Sequence, residues 1–290
     1  MPHKPAAEDL VDHHALDYEL LHSFLVTPHG PLKYLEVLDQ VDSTNTYLAD
    51  KLAASPEADL LPALVVAEAQ TAGRGRSGRT WQTSVGTSLI CSVALTTQVP
   101  PERRSWLPLM AGLAVVRALR STLGVPAVAK WPNDILVPTG AENLPGWLHL
   151  RKLGGILVQG VGPDTYVVGL GVNVTTARAD LPVATATSLV LAGVRDLNRN
   201  MLLTSFATSV TEIMAQWRAA GGDPEAAGLV AEIAAVSATI GARVRVELVG
   251  GAELVGTATG LAPDGGLKVL DDGGETHAVH AGDVYHLRLH

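Results

Sequence analysis

Cysteine and charge are both scarce in this chain, and each shortage excludes a class of protein. Cys91 is the only cysteine among 290 residues, so no intrachain disulfide can form and a reducing cytoplasm is the expected compartment. Charged residues make up 17% of the chain, and the formal net charge is −8. Because a broad nucleic-acid-binding surface is usually basic, the net negative charge argues against such a surface. A basic cluster in this chain is therefore expected to have a local function.

Long apolar runs are missing as well. The best candidate for a membrane-spanning helix, 107–125, is interrupted by Arg117 and Arg120, so no spanning helix is expected. The N-terminus leads into acidic sequence without an apolar core, so no signal peptide is expected. Hydrophobic residues still make up 47% of the chain, which is enough to close a core and excludes global disorder.

Changes of pattern divide the chain into three predicted parts. Residues 1–34 begin polar and then carry leucines at helical spacing, so they are expected to form one helix and to be too short for a helix-turn-helix domain with its own core. Strand and helix signals alternate over 35–237. Residues 238–290 hold short β runs separated by glycine-rich turns, which predicts a small barrel.

The middle part is expected to mix strands with helices. Strands are predicted at 34–41, 63–69, 87–95, 126–131, 153–160 and 164–172. Helices are predicted directly after 42–44 and at 106–123, 200–218 and 225–236. Loops are predicted at 138–148 and 175–182.

The run 70–81 carries three glycines and matches the pattern G-x-G-x-x-G. A dinucleotide-binding loop also needs a helix directly after the glycines and an acidic residue about 20 positions later. Neither is present, because the run leads to Gly86 and a β pattern, without a carboxylate near residue 95. No Gly-Lys-Ser/Thr follows, so a phosphate loop of the Walker type is not predicted either.

Three arginines alternate with these glycines, at Arg74, Arg76 and Arg79. Glycine lets backbone N–H groups approach an anion closely, and arginine adds a fixed fork for phosphate or carboxylate oxygens. A solvated basic turn is the alternative, but such turns seldom carry glycine at every second or third position. The run therefore indicates an anion-binding loop.

Three further elements place polar residues beside predicted strands. They are K-W-P-N-D at 130–134, a lysine before a glycine pair at 152–155, and a glycine-rich strand that ends in an amide at 169–173. Taken separately, each could be an ordinary turn or surface feature. Together with the arginine loop they supply cations, amides and a carboxylate. That set suits a reaction in which a polyphosphate and a carboxylate meet, since their repulsion must be offset by fixed positive charge.

These elements resemble the motifs of the biotin–protein ligase family. Its run G-R-G-R-x-G-R-x-W is present at 73–81, K-W-P-N-D at 130–134, K-x-x-G-I-L at 152–157 and the D-S-T-N box at 42–45. Order and approximate spacing agree over 35–290. Four elements in order make the resemblance specific, whereas any one alone would be a weak signal.

The resemblance implies an α+β fold and a two-step reaction. The fold would be a catalytic domain like that of class II aminoacyl-tRNA synthetases, with a mixed sheet and flanking helices, followed by an SH3-like β-barrel. The biotin carboxylate would attack the α-phosphate of ATP, giving biotinoyl-5′-AMP and pyrophosphate. A lysine of a biotin carboxyl carrier protein domain would then take the biotinoyl group. Mg²⁺ would be held mainly through ATP phosphates, so no protein metal ligand is assigned.

The resemblance also implies roles for individual positions. The catalytic residues would be Lys152, Arg76, Lys130 and Asp134. The biotin-binding residues would be Ser43, Thr44, Asn45, Gln70, Arg74, Gly75, Arg76, Lys152 and Gly155. The residues for ATP or the adenylate would be Arg74, Arg76, Arg79, Trp81, Lys130, Asn133 and Asn173, with Trp81 acting mainly as a packing anchor.

The chain departs from the family pattern in three places. Segment 137–150 is longer and richer in proline and glycine than expected, and no tryptophan occurs in 174–200 to cover an adenine. Asp42 comes too early for the N-terminal winged-helix repressor domain of many members. A monofunctional form that does not bind DNA is therefore expected. Its carrier would belong to an acetyl- or acyl-CoA carboxylase or to pyruvate carboxylase, and a homodimer is left open.

Two other functions also remain open from the sequence. A lipoate or octanoate transferase of related architecture usually carries a run close to R-R-x-S-G-G-G, which is absent here. A non-catalytic metabolite-binding or interaction module is the other alternative, and the ten histidines would fit a metal-binding version of it. No H-x-x-x-H pair or cysteine partner accompanies them, so a metal site is not predicted.

Overall fold

The computed structural model describes residues 15–54, 60–81, 83–140, 143–248, 251–280 and 282–286. The first fourteen residues of the predicted N-terminal part therefore lie outside the described chain. Within these ranges, no helix combines the length and the apolar character needed to cross a membrane.

A seven-stranded mixed sheet forms the larger layer of the fold. The first nine strands are β1 (Tyr34–Val41), β2 (Ala63–Gln70), β3 (Gly73–Arg74), β4 (Thr80–Trp81), β5 (Ser88–Thr96), β6 (Val128–Lys130), β7 (Asp134–Pro138), β8 (Leu150–Gly160) and β9 (Thr165–Asn173). Seven of them lie in the order β1-β2-β5-β9-β8-β7-β6, while β3 and β4 form a separate hairpin. β1 and β2 are parallel and the other neighbours are antiparallel, so the predicted mixed sheet is confirmed.

Helices cover both faces of this sheet. They are α1 (Tyr18–Leu25), α2 (Thr44–Ala54), α3 (Leu107–Leu123), α4 (Arg199–Ala219) and α5 (Leu229–Ala235). Side chains of β2 alternate between the faces, with Ala63 and Val65 in the cluster under α2 and Leu64 and Val66 in the main core. The strand is therefore buried on both sides, which explains its continuous apolar run.

Local signals set the ends of the two long helices. α3 ends at Gly124, whose φ of 63° is a left-handed conformation that suits glycine. α4 begins where the Asn198 side chain accepts from the backbone N–H of Met201. The two helices pack against each other, and Phe206 and Trp217 of α4 are fully buried in the main core.

The C-terminal part is a five-stranded antiparallel sheet. Its strands are β10 (Arg243–Glu247), β11 (Glu253–Leu261), β12 (Leu267–Asp271), β13 (Thr276–Val279) and β14 (Asp283–His286). They lie in the order β13-β12-β11-β10-β14, and over the described residues the edge strands β13 and β14 do not pair. The sheet is thus barrel-like, as the sequence predicts, and it is open between β13 and β14 over the described residues.

The two sheets share one hydrophobic core. Val244 and Val246 of β10 belong to the same buried cluster as the strands and helices of the larger sheet. Two indoles join the layers, since Trp106 donates to the carbonyl of Pro263 at 2.9 Å and Trp131 to that of Gly265 at 3.3 Å. The barrel-like sheet is therefore held firmly beside α3 and the edge of the larger sheet that carries β6.

Candidate active site

A buried polar cluster lies where α2 begins. Ser43, Thr44 and Asn45 are almost fully buried. The hydroxyl of Ser92, in the middle of β5, donates to Asn45 Oδ1 at 2.7 Å and lies 2.8 Å from the Thr44 hydroxyl. Gln70, at the end of β2, accepts at Oε1 from the Thr44 backbone N–H at 2.8 Å. Because buried polar groups need partners, these hydrogen bonds fix the side chains of Thr44, Asn45, Gln70 and Ser92.

Ser92 is a member of this cluster that the motifs do not identify. It is the one hydroxyl in the centre of an otherwise apolar strand, S-L-I-C-S-V-A-L-T, and its exposed fraction is 0%. A buried hydroxyl in such a strand needs a hydrogen-bond partner. That requirement is the signal by which the residue could have been found.

Two glycines of β9 provide the space in which neighbouring side chains lie. A Cβ at Gly169 would be 2.1 Å from Asn45 Oδ1, and a Cβ at Gly171 would be 2.6 Å from the Trp81 ring. Both positions share one face of the strand, because side chains alternate along it. Neither approach is compatible with a larger residue. The indole N–H of Trp81 is buried and has no hydrogen-bond partner among the described residues.

The arginine-glycine run folds as a short hairpin with an exposed tip. β3 and β4 pair through Gly73 and Trp81, and a single turn over Arg76–Gly78 joins them. Arg74 and Arg79 are exposed, whereas Arg76 is half-buried and donates to Asn133 Oδ1 at 3.2 Å. Arg76 is therefore tied to the K-W-P-N-D segment, while Arg74 points its charge toward solvent.

Two lysines converge on Asp134 at the edge of the larger sheet. Lys152 Nζ lies 2.5 Å from Asp134 Oδ1, and Lys130 Nζ lies 3.8 Å from Oδ2 of the same carboxylate. Lys152 is placed inside β8, two residues after its start, and not just before a strand as the sequence predicts. A Cβ at Gly155 would lie 3.6 Å from Lys152 Nζ, which is an ordinary contact distance, so Gly155 lies beside the ammonium.

Lys130 is the buried member of this pair. Its exposed fraction is 6%, and burial holds the pKa of its ammonium below the usual value, with Asp134 opposing that change and Lys152 adding to it. Burial disfavours the charged form of a lysine, and a nearby carboxylate favours it. A cation that is poorly hydrated and only partly neutralised is well suited to attract a polyanion.

Asn133 and Asn173 occupy different surroundings. Asn133 accepts from Arg76 and donates from Nδ2 to the carbonyl of Ile156 at 2.8 Å, so it joins the arginine hairpin to β8. Asn173, at the end of β9, donates to the carbonyl of Thr187 at 3.0 Å and is buried. Of the two amides, Asn133 is the one that contacts another predicted site residue.

β8 links the polar cluster to the cationic group. Asn45 Nδ2 donates to the carbonyl of Leu157 at 3.1 Å, and Lys152 lies five positions earlier on the same strand. Gly155 of β8 pairs with Gly171 of β9, on which the Trp81 ring lies. Strand β8 thus contacts a neutral, hydrogen-bonded cluster and carries part of a positively charged group, an arrangement that suits a molecule polar at one end and anionic at the other.

The barrel-like sheet also reaches this site. Asp283 of β14 forms an ion pair with Arg79 of the hairpin, although the two residues are far apart in sequence. The interaction raises the pKa of the Arg79 guanidinium. No sequence motif indicates Asp283 as a site residue, because only the fold brings it to the loop.

Two family models match this chain. The Biotin/lipoate A/B protein ligase family matches residues 37–173, and the Biotin protein ligase C terminal domain matches residues 239–287. The Biotin--[acetyl-CoA-carboxylase] ligase of Mycobacterium tuberculosis (strain ATCC 25618 / H37Rv) is 40% identical over 278 residues, which cover 94% of this chain and 96% of the relative.

The chain belongs to the biotin protein ligase family.

Other members support the same assignment. The Bifunctional ligase/repressor BirA of Escherichia coli (strain K12) is 30% identical over 82% of this chain and 69% of that protein. Among solved structures, the biotin protein ligase from Aquifex aeolicus in complex with biotin and ATP aligns with a TM-score of 0.69 and 25% identity, covering 88% of this chain and 100% of that one. The expected fold class of this family member is thereby confirmed.

Proposed function

We propose that this family member joins biotin to a carrier protein in two ATP-dependent steps. A biotin carboxylate oxygen attacks the α-phosphorus of ATP, the bond to the β-phosphate bridging oxygen breaks, and pyrophosphate leaves. A lysine amine of the carrier domain then attacks the carbonyl of biotinoyl-5′-AMP, loses a proton and expels AMP. The observation that carries this proposal is that β8 contacts the neutral cluster through Asn45 and carries the cationic Lys152, in a chain 40% identical to a biotin ligase.

The neutral end is the proposed site for the ureido ring of biotin. A urea carries two N–H donors and one carbonyl acceptor, so it needs both kinds of partner when it is buried. Ser43, Thr44, Asn45 and Gln70 supply hydroxyl and amide groups, and hydrogen bonds already join Thr44 to Gln70 and Asn45 to Ser92. We add Ser92 to this set, since its hydroxyl orients Asn45 and Thr44.

The cationic end is the proposed site of the first chemical step. Lys152 would contact the biotin carboxylate and the α-phosphate together, with Gly155 of the same strand beside it. Arg74, Gly75 and Arg76 would close over these groups from the hairpin. Fixed positive charge at the point where negative charge accumulates lowers the barrier, because the residues need no reorganisation during the reaction.

The nucleotide would continue from this end. Lys130, Asn133 and Arg79 would serve the phosphates, with Asp134 orienting both lysines. Trp81 would support the adenylate mainly by packing, since its ring lies against Gly171 of β9. Asn173 is proposed for the nucleotide side as well, where its contact with Thr187 fixes a strand end.

Mg²⁺ belongs to this proposal through ATP and not through dedicated protein ligands. Asp134 is engaged by two lysines, so its oxygens are already paired. The surrounding residues therefore fit a metal carried on phosphate oxygens, where it would neutralise triphosphate charge. The carrier domain of a carboxylase as acceptor, and a cytoplasmic location in which ATP is available, complete the proposal.

Pyrophosphate release tests the proposal directly. The purified chain is incubated with ATP and Mg²⁺ and with biotin, lipoate or octanoate in separate reactions. We expect pyrophosphate release in the reaction with biotin and in neither of the other two. Release only with lipoate or octanoate would contradict biotin as the substrate, and no release with any acid would favour a non-catalytic binding protein.

A further inference from the structure

The segment between β7 and β8 contains a second small hairpin beside the cationic group. Leu144 and Leu148 exchange backbone hydrogen bonds of 2.9 Å in both directions, and Trp147 lies in the turn between them. The segment is the part of the chain that is longer than the family pattern leads one to expect. Its residues are absent from the motifs that define the proposed site.

Strand β14 fixes the position of this hairpin. The backbone N–H of His286 donates to the carbonyl of Gly146 at 3.1 Å. A Cβ at Gly146 would be 3.1 Å from the Tyr285 ring, so the turn rests directly on that side chain. The barrel-like sheet therefore sets the height of the turn above the larger sheet.

The turn presents the Trp147 ring to the ammonium of Lys130. Lys130 Nζ lies 4.6 Å from the ring centroid, within the range of a cation–π interaction. Because Lys130 is only 6% exposed, few waters can solvate it, and the ring face supplies part of the missing stabilisation. An aromatic face is attractive to a cation most strongly when both are desolvated.

The charges around Lys130 explain why an aromatic partner suits this place. Lys152 and Arg79 repel its ammonium, while Asp134 and Asp283 attract it. A further carboxylate would hold the lysine but would also repel a triphosphate. A tryptophan ring holds the ammonium without adding a formal negative charge, so the lysine keeps its attraction for an anion.

We propose that Trp147 is a positioning residue that holds the Lys130 ammonium under its indole ring for contact with the phosphates of ATP. The inference rests on the proposed function, since it gives Lys130 a nucleotide to bind. Trp147 acts through Lys130 and has no assigned contact with biotin. Its loss should therefore weaken nucleotide binding while leaving biotin binding unchanged.

Two replacements of Trp147 separate the effect of the aromatic ring from the effect of side-chain volume. Trp147→Leu keeps an apolar cover but removes the π face, and Trp147→Phe keeps a ring. Binding of α,β-methylene-ATP, which cannot release pyrophosphate, is measured by calorimetry with Mg²⁺ and biotin present. We expect about ten-fold weaker binding for Trp147→Leu and recovery of most of the affinity in Trp147→Phe. His149→Ala, an exposed position in the same segment, is the matched control.

A double-mutant cycle decides whether Trp147 acts through Lys130. In a Lys130→Met background, Trp147→Leu should cost no further nucleotide affinity. Unchanged affinity in the single Trp147→Leu variant, or an equal ten-fold loss in the Lys130→Met background, would overturn the inference. Failure of the proposed function would give a different result, because the parent chain would then release no pyrophosphate with biotin. The nucleotide affinities of the Trp147 variants could still be compared in that case.

Discussion

The two ends of the candidate site are built in opposite ways. At the neutral end, Thr44, Asn45 and Ser92 are buried and satisfy one another through hydrogen bonds. At the cationic end, Arg74 and Arg79 are exposed. The neutral end is thus arranged before any ligand arrives, whereas the arginine hairpin can still adjust to one.

This difference matches what each end is proposed to bind. A neutral ring gains most from partners that are already oriented, because little ordering entropy is then lost on binding. A charged intermediate needs groups that can close around it and exclude water. Recognition and chemistry can therefore be disturbed separately. Two variants test that separation, and two more test the contacts that support the cationic end.

The largest effect is expected from Lys152→Ala at the cationic end. Losing a fixed cation where charge accumulates costs roughly 3–4 kcal/mol in comparable sites, so biotinoyl-AMP formation should slow by about 100- to 1,000-fold. Biotin affinity should change far less. Single-turnover formation of the adenylate gives the rate, and calorimetry gives the affinity.

Lys268→Ala on β12 is the matched control, because this lysine belongs to the barrel-like sheet and is also partly exposed. A near-normal adenylation rate in Lys152→Ala would show that Lys152 is an ordinary surface lysine.

Gly169→Ala should damage the neutral end in the complementary way. Its new Cβ would lie 2.1 Å from Asn45 Oδ1, so the amide must move. Forcing extra volume into a packed site typically costs about 1–3 kcal/mol of folding stability, and the displaced amide should also weaken biotin binding. Gly160→Ala on β8 is the control, since its Cβ would meet Tyr166 at an ordinary 3.5 Å. A folded Gly169→Ala protein with parental biotin affinity would exclude Asn45 from the biotin site.

Lowering the pH should reduce the folding stability of the chain through His286, which is close to the Lys130 charge. Burial, together with the Lys130 charge, lowers the pKa of His286 from 6.5 to about 4. The unfolded chain takes up this proton below about pH 6.5 and the folded chain does not, so stability is lost as pH falls from 6.5 toward 4. At pH 5.5 the loss from this group is roughly 1.4 kcal/mol.

His286→Gln should therefore reduce the difference in unfolding free energy between pH 7.5 and pH 5.5, measured with denaturant. The exposed His29, replaced by glutamine, should leave that difference as it is in the parent. If His286→Gln and the parent lose the same stability on acidification, His286 is not a group that resists protonation.

The smallest effect is expected from Asp283→Asn. The ion pair with Arg79 is largely exposed, and pairs of that kind contribute at most about 1 kcal/mol. Hydrogen exchange over 73–81 should become faster without ligand, while exchange in α2 stays unchanged. Asp272→Asn, which breaks an exposed pair with Arg243 elsewhere in the barrel-like sheet, should leave the hairpin as it was. Equal hydrogen-exchange rates over 73–81 in Asp283→Asn and in the parent would show that Asp283 does not anchor the hairpin.

Local sequence patterns predicted much of this arrangement. The strands and helices follow from apolar periodicity. The D-S-T-N and K-x-x-G-I-L motifs are in contact through Asn45, and the K-W-P-N-D motif contacts the arginine run through Asn133 and K-x-x-G-I-L through Asp134. Ser92, Trp147 and Asp283 were missed because their contacts join distant parts of the chain. Nothing in the local sequence of a serine, tryptophan or aspartate states which partner the fold brings to it.

The pair between Arg79 and Asp283 has a thermodynamic consequence for the whole chain. Free-energy coupling between two binding events is reciprocal. If docking of β14 helps to order the hairpin for a ligand, then a ligand that orders the hairpin must tighten the docking of β14 by the same factor. Ligand binding at the site would then raise the melting temperature of the barrel-like sheet. A spectroscopic probe attached to that sheet would detect biotin binding without contacting biotin.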